Sequence, residues 1–439
     1  MKMAFIIKRL NHYKLLAPII EESLRRGYHV LCLHNYGVPS TGMKGYNFPL
    51  IESAPSFKNG SPEFLSYDVT KALIELIPSR KIQIIVSLEA PSRVFSSSFK
   101  PENVLWALVQ YGADVFDIHD PMQLLEADLF FCLSDKWVRL GEEFYKIMYP
   151  DQIKRGLYEK VKAKIRIIGF PELDSTSMIS PDSVKDKLGL KRERPVILYL
   201  PLPSYASYRN YWETDIFPRR SVKQLLGAVK IGRMEFLKHW WKKWNDFELV
   251  RSLKEFADRN DAYFIAKSRK KNPIQHYLSD IADLAMYDES DYPATILKLL
   301  MISDLVISFY NTTTALEAAW CNVPFLSFYP IDRNLHDVSD ETKKLIDGKA
   351  HEAKISVFFN NIPSSIHNYQ KVNQKMEIPY AIENLGSMNL SDFTLNEQAR
   401  SSYVKMYLGF DDGKSSVRLL NFLEEYKLAI KMKVQVNSW

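Results

Sequence analysis

Short runs of β-branched and aromatic residues alternate with segments of helical period along most of the chain, the pattern of parallel α/β layers. In the first half the runs that predict strands are Met3 to Ile7, His29 to Leu33, Ile82 to Leu88, Asp114 to Ile118, Leu129 to Leu133 and Ile165 to Ile168. The first is followed by a helical stripe in which Leu15, Leu16, Ile19, Ile20 and Leu24 share a face, and Gly27 stands where a C-terminal cap belongs. The chain therefore opens as a β-loop-α-β unit. That loop, Lys8-Arg9-Leu10-Asn11-His12-Tyr13, contains no glycine, so the G-x-G-x-x-G turn of a dinucleotide site is missing and NAD or FAD chemistry is not expected.

After Ile168 a polar, proline-bearing stretch leads to the apolar run Val196 to Leu200, a composition shift typical of a domain boundary. A second alternating series follows, with strands expected at Val196 to Leu200, Tyr263 to Ala266, Leu305 to Ser308, Phe325 to Phe328 and Ile355 to Phe359. Between its first two strands lies a long insertion, Pro203 to Asn260, and the tail from Ser415 to Lys431 has the spacing of an amphipathic helix. At 439 residues the chain is long enough for two core-bearing domains.

Composition narrows the function classes. With 46% hydrophobic and 25% charged residues this is a folding chain, and a net charge of +6 over 439 residues is too dilute for a dedicated nucleic-acid binder. Mild basicity suits anionic small substrates or an anionic membrane surface. Cys32, Cys132 and Cys321 are far apart, so no disulfide framework or metal cluster is expected and a reducing compartment is. The N-terminus lacks the apolar core of a signal peptide and no window is long enough to span a bilayer, which predicts a cytoplasmic protein, peripheral to the inner membrane face at most. H-E-x-x-H, C-x-x-C, P-loop, G-x-S-x-G and D-x-D patterns are missing from the sequence.

The most informative segment runs from Ser303 to Pro330. A buried strand passes into a polar loop, Tyr310-Asn311-Thr312-Thr313-Thr314, and then into a helix carrying Glu317. Hydroxyls and unpaired amides at a helix start can take a diphosphate, and a carboxylate one turn in can accept from ribose hydroxyls. The same residues could equally be a helix cap with an acidic first turn.

This segment resembles the donor-binding region of GT-B glycosyltransferases, near the polysaccharide and CDP-glycerol-type transferases and the UDP-GlcNAc 2-epimerase-like group. The corresponding pieces are the strand Asp304 to Ser308, the loop Asn311 to Thr314, the acidic Glu317, and a G-x-P element that here reads Asn322-Val323-Pro324, with asparagine in the place of glycine. Ile168-Gly169-Phe170-Pro171-Glu172-Leu173-Asp174, with Leu188-Gly189-Leu190 and Pro195 to Pro201, resembles the same families' crossing between domains. The resemblance implies an α/β, GT-B-like fold: two Rossmann-like domains facing across a cleft, with a C-terminal helix crossing back. The expected divisions are an acceptor domain at 1–175, a nucleotide-donor domain at 190–410 and the helix at 411–439, packing toward the N-domain.

It also implies a metal-independent enzyme with no cofactor, taking a nucleotide-sugar donor as substrate and a glycan or lipid-linked acceptor, as in polysaccharide biosynthesis at the cell envelope. Lys267 and Arg269, at the end of the second strand of the donor domain, are then expected on the donor phosphates with Tyr310, Asn311, Thr312, Thr313, Thr314 and Glu317. Lys270 and Lys271 read better as solvated. A base for the acceptor hydroxyl is sought at strand ends of the first domain, where Glu89, His119 and Asp120 are candidates, with His12 as a further acceptor-side residue. The stretch Lys238-His239-Trp240-Trp241-Lys242-Lys243-Trp244 could lie in a headgroup layer or pack its tryptophans inward. The alternatives to sugar transfer are a CDP-polyol phosphotransferase, a nucleotide-sugar 2-epimerase, and, from other classes, a non-catalytic GT-B-like scaffold subunit or a membrane-docking adaptor. With only 16 glycines in the chain, the scaffold reading stays open.

Overall fold

The computed structural model describes residues 1–36, 50–68, 70–95, 101, 103–111, 121–201, 246–268, 274–287, 291–309, 313–329 and 373–436. The expected strands Asp114 to Ile118 and Ile355 to Phe359 and the Trp240 region lie outside these described residues. The chain divides into two compact units, one of Met1–Ile179, Glu289–Leu297 and Ser402–Trp439, the other of Ser180–Asp288 and Lys298–Ser401.

Unit 1 is built on a seven-stranded sheet in the order β3-β2-β1-β4-β5-β6-β7. The strands are β1 (Lys2–Ile7), β2 (His29–Asn35), β3 (Glu63–Tyr67), β4 (Ile84–Ser87), β5 (Leu105–Val109), β6 (Leu129–Cys132) and β7 (Ile165–Ile167). All pairings are parallel, with Met3 opposite Val30 on one side and Ile84 on the other. Parallel strands covered on both faces read as unbroken apolar runs, and Met3 to Ile7 are accordingly all buried. The helix Tyr13–Arg25 buries Leu15, Leu16, Ile19 and Ile20 and ends on Gly27 at φ +72°, a left-handed cap that glycine takes without strain.

Two strands of this sheet were not expected from the sequence. β5, Leu105–Val109, is central and wholly buried, but its leucines, tryptophan and alanine carry no alternation and little β-branching, so the run is ambiguous by itself. β3 is an edge strand, mostly half-exposed, and such strands lack a continuous apolar run.

The C-terminal helix Ser415–Val436 belongs to unit 1. Its first turn is capped by a distant carboxylate: Asp174 accepts from the amides of Ser415 at 2.9 Å and Ser416 at 2.6 Å. Arg26 donates to Glu424 and Asn421 at 2.8 Å each, and Tyr28 donates to Glu424. Just before the helix, Gly409 has φ +77°, and a methyl group there would lie 2.4 Å from the Leu133 carbonyl oxygen. Trp137 locks the same approach by donating to the Tyr407 carbonyl at 2.7 Å.

Unit 2 holds a six-stranded parallel sheet, β10-β9-β8-β11-β12-β13. Its strands are β8 (Val196–Leu200), β9 (Tyr263–Ser268), β10 (Leu284–Tyr287), β11 (Leu305–Phe309), β12 (Phe325–Tyr329) and β13 (Asn373–Glu377). Numbered from its own first strand, this is the order 3-2-1-4-5-6 of a doubly wound nucleotide-binding sheet. The helix Asp246–Arg259, at the end of the long insertion, packs Leu249, Leu253 and Phe256 into one core with Ile197, Phe264 and Ile307. The two edge strands, β10 and β13, were not expected either. The sequence Asn373-Gln374-Lys375-Met376-Glu377 of β13 is almost entirely polar, and its pairing with β12 is what makes it a strand.

One device recurs at the amino ends of both sheets. Asp128, Asp283 and Asp304 each stand immediately before a strand, and each carboxylate accepts from the backbone amide of the neighbouring strand: Trp106 at 2.7 Å, Phe264 at 2.7 Å and Val196 at 2.8 Å. The same three residues donate their own amides back to the carbonyls of Trp106, Phe264 and Val196. Register is thereby pinned at the edge where no ligand of such a sheet binds.

Candidate functional site

In unit 1 the order of strands reverses between β1 and β4, and their carboxyl ends frame the crevice where open α/β sheets bind ligands. Lys8 leaves β1 and Glu89 follows β4, and Lys8 Nζ lies 2.5 Å from Glu89 Oε2 and donates to the Arg93 carbonyl at 2.9 Å. The backbone of Glu89 is fixed on both sides: its amide donates to Ser87 Oγ at 2.9 Å, Ser87 Oγ donates to its carbonyl at 2.8 Å, and Trp106 Nε1 reaches the same carbonyl at 3.3 Å. Such a loop fixes the backbone from which the side chain starts.

His12 is buried beside this pair. Its Nδ1 accepts from the Lys8 amide at 3.4 Å, which assigns the proton to Nε2. Burial pushes its pKa down to about 4, with the Glu89 carboxylate opposing and the Arg9 and Lys8 charges adding to the fall. His12 is thus a neutral imidazole at physiological pH, able to donate but reluctant to accept a proton. Asn11 completes the loop by donating to the Tyr111 hydroxyl at 2.5 Å. Of the acid–base candidates, the structure brings Glu89 and His12 together, while His119 and Asp120 lie outside the described residues. Lys8 and Tyr111 were missed. Lys8 could have been found as the first residue beyond β1, whereas Tyr111 follows β5, a strand that the sequence pattern did not reveal.

In unit 2 the reversal falls between β8 and β11. Lys267 is the penultimate residue of β9, next to β8, and is buried with its neighbour Ser268. The helix Thr313–Trp320 follows β11 closely, with Thr313 and Thr314 half-exposed in its first turn and Glu317 fully buried one turn in. A lysine and a glutamate held inside the carboxyl-terminal end of a parallel sheet are costly to bury and are rarely there for packing alone. Arg269, Tyr310, Asn311 and Thr312 lie outside the described residues. The helix ends on Asn322 at φ +61°, so the position that is glycine in the resembling motif does need a left-handed residue, and asparagine is the side chain that tolerates it best.

Asp304, part of the same motif, sits at the opposite end of β11 and serves the register pin described above. Among the described residues no cluster of histidine, cysteine or carboxylate side chains could hold a metal ion, and no helix is long and apolar enough to cross a membrane.

No family model matches the sequence, and neither does any curated protein. Solved structures do match in fold. A candidate UDP-N-acetylglucosamine 2-epimerase from Listeria monocytogenes superposes with a TM-score of 0.51 at 12% identity, over 97% of this chain and 96% of that one. A second UDP-N-acetylglucosamine 2-epimerase gives 0.52 at 10% identity over the same shares, 97% and 96%. At such identities the likeness is one of architecture. The chain has a GT-B-like fold, two Rossmann-like α/β units each built on its own parallel sheet.

Proposed function

We propose that the protein is a nucleotide-sugar enzyme, and that it transfers the sugar to a hydroxyl of a surface-glycan or lipid-linked acceptor. The observation that carries this reading is the carboxyl edge of unit 2. There Lys267 and Glu317 are buried at the ends of β9 and in the helix after β11, in a sheet of dinucleotide-binding order. In this reading the first-turn amides and hydroxyls of Thr313 and Thr314 and the Lys267 ammonium hold the diphosphate, and stabilise its charge as the glycosidic bond breaks. Glu317 accepts from the ribose hydroxyls. Glu89 of unit 1 takes the proton of the attacking acceptor hydroxyl, with the neutral His12 donating to the acceptor.

The two fold relatives, both UDP-N-acetylglucosamine 2-epimerases by description, favour a second reading, epimerisation at C2 of a UDP-linked N-acetylhexosamine. The two readings separate cleanly. Inverting C2 requires breaking its C–H bond, so solvent deuterium would enter the sugar, whereas transfer leaves that bond untouched.

The test begins with thermal shift against UDP, CDP, GDP, ADP and CMP, since a ligand of the native state raises Tm. A selective shift that is lost in Lys267→Met and in Glu317→Gln supports the donor site. No shift with any nucleotide at millimolar concentration would sink the reading in favour of a non-catalytic scaffold. Incubating the protein with the nucleotide sugar in D2O then decides between transfer and epimerisation.

A further inference from the structure

We infer that Lys8 is the positioning residue of Glu89: its ammonium ties the end of β1 to the loop after β4 and holds the Glu89 carboxylate ionised and in one direction, toward the crevice of unit 1. This rests on the reading of Glu89 as the group that takes the acceptor proton, and it adds a residue that no sequence motif singled out.

Three observations carry it. The ammonium is 2.5 Å from Glu89 Oε2 and 2.9 Å from the Arg93 carbonyl, so one side chain bridges the two strands at the switch point. The lysine side chain is the less exposed partner, 11% against 26% for the glutamate, so the carboxylate keeps the greater access to solvent. The Glu89 backbone is already fixed by Ser87 and Trp106, so the freedom left to the residue is that of its side chain, and Lys8 restricts it. A half-buried ion pair of this kind is weak evidence for stability, because desolvation and solvent screening offset the attraction. Its effect on protonation is direct, since a cation within hydrogen-bond reach favours the ionised carboxylate.

Three other titratable or charged groups lie near Glu89. His12, from the loop after β1, is neutral, Tyr67 at the end of β3 is an un-ionised phenol held there by burial, and Arg93 directs its guanidinium to Gln123 at 3.1 Å. Lys8 is the cation among these that contacts the carboxylate.

The experiment is a 13C NMR titration of the glutamate side-chain carboxyl carbons in the unliganded full chain, with Glu89→Gln to assign the resonance. Lys8→Met should raise the Glu89 midpoint by about one pH unit, tenfold in proton affinity, and Lys8→Arg should restore it. A Lys8→Arg midpoint that stays with that of Lys8→Met overturns the proposal. A Lys8→Met midpoint equal to wild type overturns it as well. Because the titration uses no nucleotide, a failure of the nucleotide screen leaves it readable and strikes the proposed function alone. With turnover in hand, Lys8→Met should lower kcat about ten- to a hundredfold, leave the donor KM unchanged and move the acidic limb of the profile upward. A change in donor KM with kcat intact would show Lys8 to be a binding or structural residue instead.

Discussion

In unit 1 the cation at the switch point, Lys8, is bound to a carboxylate that keeps the greater access to solvent, and the neighbouring imidazole is kept neutral by burial. In unit 2 the corresponding edge presents a buried lysine, a buried glutamate and a helix start bearing two threonine hydroxyls. The first arrangement is suited to moving a proton and the second to holding an anion, yet the sheets beneath them share one strand order and one way of pinning register. The amino edges are alike because they serve only the fold. The carboxyl edges differ because connections there are free to carry chemistry once the register is secured from the other side.

The largest effect that would probe this division is at Gly409, where unit 1 has no room for a side chain. Gly409→Ala forces a methyl group to 2.4 Å from the Leu133 carbonyl oxygen at a positive φ, and should cost about 3 kcal/mol or more, read as a fall in Tm. Gly27→Ala has nothing within 4 Å and should cost only the backbone strain, about 1 kcal/mol. Equal losses at the two glycines would mean that the approach of the C-terminal segment to Leu133 is not tight.

Next comes pH. His12 has a folded-state pKa of about 4 against an ordinary 6.5, so the unfolded chain binds this proton first as pH falls. The sign follows: stability is intact above pH 6.5 and is lost as pH drops toward 4, by about 3 kcal/mol over that window. Urea unfolding of wild type and His12→Gln at pH 7.5 and 4.5 should show a shallower acid loss in the variant. Identical pH slopes would place His12 in contact with water and undo the contrast drawn for unit 1.

A smaller effect distinguishes the two ends of β11. Asp304→Ala removes the carboxylate that holds the Val196 amide and should cost about 1 kcal/mol, while leaving any nucleotide-induced Tm shift in place. Loss of that shift together with retained stability would move Asp304 from the register pin to the ligand. Smallest is Asn322, where φ is +61°: Asn322→Ala should cost about 1 kcal/mol or less, and Asn322→Gly should be neutral or slightly stabilising, by differential scanning calorimetry.

Most buried strands were legible because a sheet covered on both faces demands apolar residues at every position, as in Met3 to Ile7 and Val196 to Leu200, whereas β5, equally buried, was missed because its run carries little β-branching. β3, β10 and β13 were not legible, because an edge strand is held by one neighbour's backbone and places little demand on its own side chains. The site followed the same logic. Glu317, Lys267, Thr313 and Thr314 could be nominated because each stands just beyond an apolar run, but the role of Asp304 could not be assigned, since a residue's end of the strand is known only once chain direction and pairing are known.

Local pattern was therefore sufficient for the class of fold, the alternation of layers and the candidate residues at strand ends, because periodicity and burial are properties of short windows. Which residues meet was decided by tertiary structure. Lys8 and Glu89 are 81 positions apart, and Asp174 and Ser415 are 241 apart. Only the strand order that sets β1 beside β4, and the docking of the C-terminal helix on unit 1, turns those separations into contacts, and no window of sequence contains the pairing that does so.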